Sequence, residues 1–189
     1  MRPIEKMHPE KIFLYALVRM YQPKRVAEIG VSQGEATLPL ALGLKHNGKG
    51  LLTAVDNWSR KHGGKSVSPK QAEELLIENK CQEFVEFRSE DSAKFFEFTG
   101  SKSVDLVIVD ADHSYKGCYE DTKQALRVAK QLVVIHDPSN FHTVREACAH
   151  LSISGLVKSD LVKFTTTERE DVQSLFVKPM RGYWLAIPK

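Results

Sequence analysis

Residues able to do chemistry recur at the ends of short apolar runs. In chain order they are Glu28 with Gly30, Asp56, the stretch from Arg88 to Asp91, Asp110 with Asp112 and His113, and His136 with Asp137. Carboxylates and imidazoles in such places can hold an ammonium group, a ribose or a cation, or move a proton. The first of these stretches, "VAEIGVSQGEATLPLA" at 26–41, spaces Gly30 and Gly34 as G-x-x-x-G. Dinucleotide sites use G-x-G-x-x-G, whose middle glycine lets a pyrophosphate approach a helix N-terminus, so a bulky pyrophosphate is disfavoured here. Glycines can still take positive φ and let a ligand lie against bare backbone. Glu28, two residues before Gly30, repels phosphate and suits an ammonium group. Asp56 sits where a carboxylate can take both hydroxyls of a ribose. An amine site and a ribose site without a phosphate site describe an amino-acid nucleoside.

A second group follows two later runs, "SVDLVIVD" at 103–110 and "QLVVIHD" at 131–137. If these are neighbouring strands, their ends lie about 4.8 Å apart and bring Asp110 close to Asp137. Two adjacent carboxylates repel, so a cation, an added proton or a basic partner must compensate. Asp112, two residues on in extended chain, is expected on the same side as Asp110. His113 then stands at the rim. An alkyl hydroxyl is far less acidic than imidazolium, so histidine alone is a weak match for deprotonating one; a bound cation narrows that gap.

The elements that must position these residues alternate. Residues 8–20 carry apolar positions at helical spacing and stop before Pro23, which predicts an N-terminal helix, with residues 1–22 acting as a cap. Strand-like runs at 25–30, 51–56, 83–87, 103–110 and 131–137 are separated by helical segments at 34–46, 69–80, 92–99, 117–129 and 141–151. Parallel neighbours need crossovers and bury both faces, so this alternation predicts an α/β fold with a doubly wound, mostly parallel sheet. The last stretch, "DLVKFTTTEREDVQSLFVKPMRGYWLAIPK", holds two or three strand-like runs without a good helix between them and reads as an antiparallel hairpin closing the sheet edge. At 189 residues, a single domain is expected.

Composition narrows the function classes. The chain is 42% apolar and 27% charged, with a net charge of +3 spread among 24 acidic residues, so nucleic acid is not implied as a partner. Cys81, Cys118 and Cys148 are odd in number and widely spaced, which suggests neither a disulfide framework nor a zinc cluster and fits a reducing, cytoplasmic setting. No run approaches the roughly 20 apolar residues needed to span a bilayer, and "MRPIEKMHPEK" lacks a secretory apolar region.

From about residue 24 to the end the chain resembles the class I S-adenosylmethionine-dependent methyltransferases, which are Rossmann-like with a seven-stranded sheet. "EIGVSQG" looks like their first motif. "VDNWSRKHGG", "VIVDADHSYKGCYED" and "VVIHD" resemble the subgroup containing cephalosporin-hydroxylase-like and macrolide-sugar O-methyltransferase-like proteins. The resemblance implies that Glu28, Gly30, Ser32 and Gly34 border the methionine part of the cofactor. It implies Asp56 at the ribose with Asn57 and Trp58 beside it, Asp91 and Ser92 near the adenine, and Asp110 bordering the cofactor as well. It further implies Asp110 and Asp137, with His136, as ligands of Mg²⁺ or another divalent cation, and His113 as general base in O-methylation of a small-molecule hydroxyl, a sugar or other secondary metabolite.

The chain departs from that subgroup in three places: His136 stands where Glu or Asp is usual, "SRKHGGK" replaces an acidic segment, and "RVAKQLVVI" lacks a double glycine. Plainer roles remain open beside the implied ones. Asp91 suits a helix N-cap and His113 a loop cap. Asp110 and Asp137 suit solvated strand ends, and His136 a satisfied polar residue. Trp58 and Tyr115 can simply pack a cleft mouth, and "SRKHGGK" can be a solvated loop. Two other function classes also stay open, a nicotinamide-dependent oxidoreductase and a non-catalytic S-adenosylmethionine-binding module. So does a homo-oligomer in which a partner subunit completes the acceptor pocket under a roof made of the N-terminal helix and the loop at 57–69.

Overall fold

The computed structural model describes residues 4, 7–59, 61–62, 65–163 and 182–189. Its elements run α1 (Pro9–Tyr21), β1 (Arg25–Ile29), α2 (Thr37–Asn47), β2 (Leu51–Val55), β3 (Lys61–His62), β4 (Lys65–Ser66), α3 (Pro69–Glu78), β5 (Val85–Arg88), α4 (Ser92–Glu97), β6 (Val104–Val109), α5 (Tyr115–Val128), β7 (Ala129–His136), α6 (His142–Ile153), β8 (Val157–Lys163) and β9 (Tyr183–Pro188). Among the described residues the strands form a seven-stranded mixed sheet in the order β5-β2-β1-β6-β7-β9-β8, and β3 and β4 pair separately as an antiparallel hairpin. The α/β class and the mostly parallel sheet agree with the sequence reading. The chain divides into two compact units, Met1–Phe95 and Phe96–Lys189.

In the first unit, β2 lies parallel to both β1 and β5, with Ile29 level with Val55 and Val55 level with Arg88. Val26 to Ile29 are all buried, as expected for a strand covered on both faces. Helix α1 starts with Pro9 at its first turn, buries Glu10, Leu14, Leu17 and Val18, and ends on Gln22 in a left-handed conformation just before Pro23. Helix α2 is buried from Thr37 to Leu44, so it reads as apolar nearly all round rather than as an amphipathic stripe. Gly43 lets it approach α1, since a Cβ there would meet Val18 at 2.7 Å.

In the second unit, all six residues of β6 are buried, and β7 runs parallel to it with Val109 level with Ile135. Strand β9 is antiparallel to β7, and β8 is antiparallel to β9. Helix α5 is capped by Ser114, whose side chain accepts from the Gly117 N–H, and it buries Cys118, Thr122, Ala125, Leu126 and Val128 along one face. It runs into β7 with no connecting residue. The three cysteines are buried and unbridged.

Several boundaries differ from the sequence reading. Residues Gln82–Phe84 form a 3-10 turn, so β5 starts at Val85. Residue 129 begins β7 rather than ending a helix. The loop at 57–69, expected as part of a roof with "SRKHGGK" as a solvated loop, contains the β3–β4 hairpin. The strand-like runs at 164–181, part of "SRKHGGK" at 60 and 63–64, and most of the first six residues of the N-terminal cap lie outside the described residues.

Gly34 (φ +81°) follows β1, and a Cβ on it would meet the Ala72 Cβ at 2.8 Å and the Ala72 Cα at 2.9 Å, so α3 packs directly on the glycine backbone. Gly34→Ala therefore carries both a left-handed penalty and an overpacking penalty, about 2 to 4 kcal/mol together. Urea unfolding of Gly34→Ala, Ala72→Gly and the double variant measures this, and the cycle is expected to show a coupling above about 0.5 kcal/mol.

Candidate functional site

In the first unit the parallel register brings the exits of β1, β2 and β5 level. Gly30 (φ +91°) donates its N–H to the Val55 carbonyl at 2.9 Å, and Asp56 donates to the Arg88 carbonyl at 3.1 Å. The chain then bends through Ser32 (φ +52°) and Gly34 (φ +81°). Asp56 holds that bend. Its Oδ2 accepts the backbone N–H of Val31 at 2.8 Å and of Ser32 at 2.9 Å, while its Oδ1 accepts the Trp58 N–H at 2.7 Å. One carboxylate thus ties the glycine turn to the start of the next loop.

Beyond Asp56 the side chains continue the link toward β5. Asn57 donates from Nδ2 to Asp91 Oδ1 at 2.5 Å and accepts the Ser59 N–H at 3.0 Å. Trp58 is left-handed (φ +57°), donates its indole N–H to Ser89 Oγ at 3.1 Å and lies against the Phe87 ring at 6.2 Å. Non-glycine residues at positive φ are costly, so Ser32 and Trp58 are held by their surroundings. Glu28 is fully buried in β1. Ser92 opens α4, and the Asp91 carbonyl accepts that helix's Phe95 N–H at 3.1 Å.

In the second unit, Ile135 is level with Val109, so Asp110 and His136 leave their strands side by side. The Asp110 Oδ2 lies 3.0 Å from His136 Nδ1, and its Oδ1 lies 3.5 Å from His113 Nε2. Asp137 Oδ2 lies 3.3 Å from His113 Nε2 and 3.7 Å from His136 Nδ1. Asp137 is 1% exposed and left-handed (φ +67°); its N–H donates to the Gly182 carbonyl and its own carbonyl accepts from Asn140 and Phe141. The His113 ring stacks on Phe141 at 4.4 Å, and Thr143 Oγ1 donates to the His113 carbonyl at 2.6 Å. The His136 ring lies 5.0 Å from Tyr183, its partner in β9.

Charge explains this packing. Burial pushes the Asp110 carboxyl up, but the charge of His136 and the hydrogen bonds of His113 and His136 outweigh it and hold the group below the usual carboxylate range. The His113 imidazole is pushed up to about 9 by its interactions with Asp110 and then Asp137, against a smaller opposing effect of burial. Two carboxylates this close need positive charge, and in this arrangement protonated His113 supplies it. Asp110, His113 and Asp137 also offer donor atoms within 4.8 Å of one another, so the same group can hold a cation in place of the proton.

The sequence profile of the methyltransferase domain family matches residues 27–137, more than half of the 189-residue chain, from within β1 to Asp137. The chain belongs to the methyltransferase domain family. No curated protein matches the sequence. Solved structures of methyltransferases share its fold. The O-methyltransferase TomG from Streptomyces achromogenes, involved in tomaymycin synthesis and solved with S-adenosylmethionine, has a TM-score of 0.68 at 20% identity over 96% of this chain and 80% of its own. An O-methyltransferase from Bacillus cereus solved with S-adenosylhomocysteine has a TM-score of 0.67 at 17% identity over 99% of this chain and 84% of its own. A methyltransferase from Geobacter sulfurreducens has a TM-score of 0.67 at 17% identity, over 96% and 78% respectively.

In this methyltransferase domain, the residues singled out in the sequence fall into two groups. Glu28, Gly30, Ser32, Gly34, Asp56, Asn57, Trp58, Asp91 and Ser92 belong to the first unit, Asp110, His113, His136 and Asp137 to the second. Asp112 does not join Asp110. Its carboxylate accepts the Ser114 N–H at 2.8 Å and the Ser114 hydroxyl at 3.0 Å, and Gly117 leaves the room it needs. Tyr115 likewise turns to His150, 2.7 Å from its hydroxyl. Sequence reasoning missed Phe141, Thr143 and Tyr183, which brace His113 and His136; Ser89, within the stretch from Arg88 to Asp91, braces Trp58. Only strand register could have pointed to Tyr183.

His113 gains stability from its raised pKa, so its contribution is fully present below its ordinary value near 6.5 and is lost as pH rises through about 9. In chelator-treated protein, thermal melting between pH 6 and 10 is expected to show a loss of stability across this window. The loss shrinks in His113→Gln, and an unchanged profile in that variant removes the His113 interaction as its cause.

Proposed function

We propose that this chain is an S-adenosylmethionine-dependent methyltransferase acting on the hydroxyl of a small molecule. One observation carries the cofactor reading: the Val31 and Ser32 N–H groups, which in a dinucleotide site would face phosphate, are engaged by the Asp56 carboxylate. A turn lined by Asp56 and preceded by buried Glu28 suits a cationic, phosphate-free nucleoside better than NAD. Family membership supports transfer of a methyl group. The O-methyltransferases of similar fold, one of them involved in tomaymycin synthesis, support oxygen as the acceptor atom and a small molecule as the acceptor, for which a sugar or other secondary metabolite is our reading.

The roles follow from the chemistry. Glu28 faces the charge of the methionine amine, the Gly30–Gly34 turn lets the methionine part lie against backbone, and Asp56 with Asn57 orients the ribose. Trp58 stands beside the ribose, and Asp91 and Ser92 border the adenine. The sulfonium methyl is already activated, so the residues chiefly align donor and acceptor and exclude water. Asp110 and Asp137 would hold a divalent cation, which when bound would narrow the acidity gap of the acceptor hydroxyl. A cation held there would leave His113 unprotonated, with an Nε2 lone pair free for the acceptor proton or for the ion itself. The mixed carboxylate and imidazole donors within 4.8 Å fit such an ion.

Calorimetry separates this reading from an oxidoreductase: S-adenosylhomocysteine is expected to bind and NADH is not, and the reverse result overturns it. Asp56→Ala is expected to weaken S-adenosylhomocysteine by about 1 to 3 kcal/mol, through lost charged hydrogen bonds and a loosened turn. Unchanged affinity takes Asp56 out of the cofactor site. In a methyl-transfer screen over hydroxylated acceptors, Asp137→Asn is expected to lower turnover at least about tenfold while leaving cofactor affinity intact. Equal turnover with chelator present eliminates the cation, and no transfer to any acceptor alongside cofactor binding favours a non-catalytic binding module.

A further inference from the structure

The identity of the ion can be read from the donor set. Ligand atoms sharing a first-row ion at about 2.1 Å lie about 3.0 Å apart at right angles and about 3.4 Å apart at the tetrahedral angle. His113 Nε2 sits 3.5 Å from Asp110 Oδ1 and 3.3 Å from Asp137 Oδ2, close to those edges before any ion draws the three atoms together. The ring is also held where a ligand must be. It stacks on Phe141, whose N–H donates to the carbonyl of Asp137 at 3.1 Å, so the turn that presents one carboxylate also backs the imidazole. His136 Nδ1 approaches the other oxygen of Asp110, Oδ2, at 3.0 Å, while His113 faces Oδ1. On that far oxygen it suits a brace for Asp110, in the way an outer partner fixes a ligating group.

We propose that His113 is a ligand of the cation together with Asp110 and Asp137, and that this oxygen–nitrogen–oxygen set takes a first-row transition ion such as Mn²⁺, Fe²⁺ or Co²⁺ in preference to Mg²⁺. The proposal rests on the reading of Asp110 and Asp137 as a cation pair and adds the ligand that sets its selectivity. Mg²⁺ favours oxygen donors and keeps several waters, whereas imidazole suits the later divalent ions, whose affinities rise along the series from Mn²⁺. Ligation by Nε2 removes the lone pair with which His113 would act as general base. With Nε2 so engaged, His113 would hold the ion in place instead of taking the acceptor proton, which would pass to solvent.

The test uses the full chain, stripped of metal and titrated by equilibrium dialysis with Mn²⁺, Co²⁺ and Mg²⁺, followed by pulsed EPR of the Mn²⁺-loaded protein. Expected are one equivalent of Mn²⁺ or Co²⁺ bound at least about tenfold more tightly than Mg²⁺, and a ¹⁴N coupling that disappears in His113→Gln but persists in His136→Gln. Mg²⁺ binding as tight as Co²⁺, absence of nitrogen coupling, or coupling that survives in His113→Gln overturns the proposal while leaving the cation reading in place. Failure of every ion to bind overturns both. Should His113→Gln fail to fold, the wild-type coupling and the His136→Gln comparison decide.

Discussion

The first half of the chain depends on one carboxylate. A glycine turn leaving a parallel strand exposes backbone N–H groups that need acceptors, and their direction decides which ligand the turn can take. Asp56 satisfies two of them and uses its other oxygen to fix the N–H of Trp58. The turn is thereby set before any ligand arrives, and it presents a negative edge instead of an anion cradle. The left-handed conformations of Ser32 and Trp58, on either side of this carboxylate, are maintained by the same three hydrogen bonds.

The second half depends on balancing charge at buried strand ends. Asp137 is almost wholly enclosed and Asp110 is partly so, a combination that would be unstable without positive charge. His113 and His136 approach the pair from two β-exits, and each ring is steadied by an aromatic neighbour, Phe141 or Tyr183. Protonated imidazole and a metal ion are alternative answers to the same electrostatic demand. The expected proton-dependent stability and the proposed cation binding would therefore draw on one set of atoms.

Much of this was legible in the sequence because parallel strands buried on both faces write themselves as short apolar runs, as "LVIV" and "LVVI" do, with polar residues wherever a run ends. The polar ends marked Glu28, Asp56, Asp110, His136 and Asp137. Where local chemistry competes for a side chain, the reading failed. Asp112 was placed beside Asp110 by alternation, but a carboxylate two residues before a serine is drawn into the turn that starts α5. Phe141 and Tyr183 were not visible because their contacts come from a turn after β7 and from an antiparallel partner 47 residues from His136 (183 less 136). The β3–β4 hairpin, with two residues in each strand, is too short for periodicity to reveal.

The seam between α5 and β7 has a further meaning. Helix ends at Val128 and strand begins at Ala129, so there is no slack in which an inserted or deleted residue could be absorbed. Since neighbouring positions of a strand face opposite ways, a slip of one residue would turn His136 and Asp137 away from their present directions. Helix length thus acts as a ruler for the acidic exit, and this crossover should tolerate substitutions far better than changes in residue number.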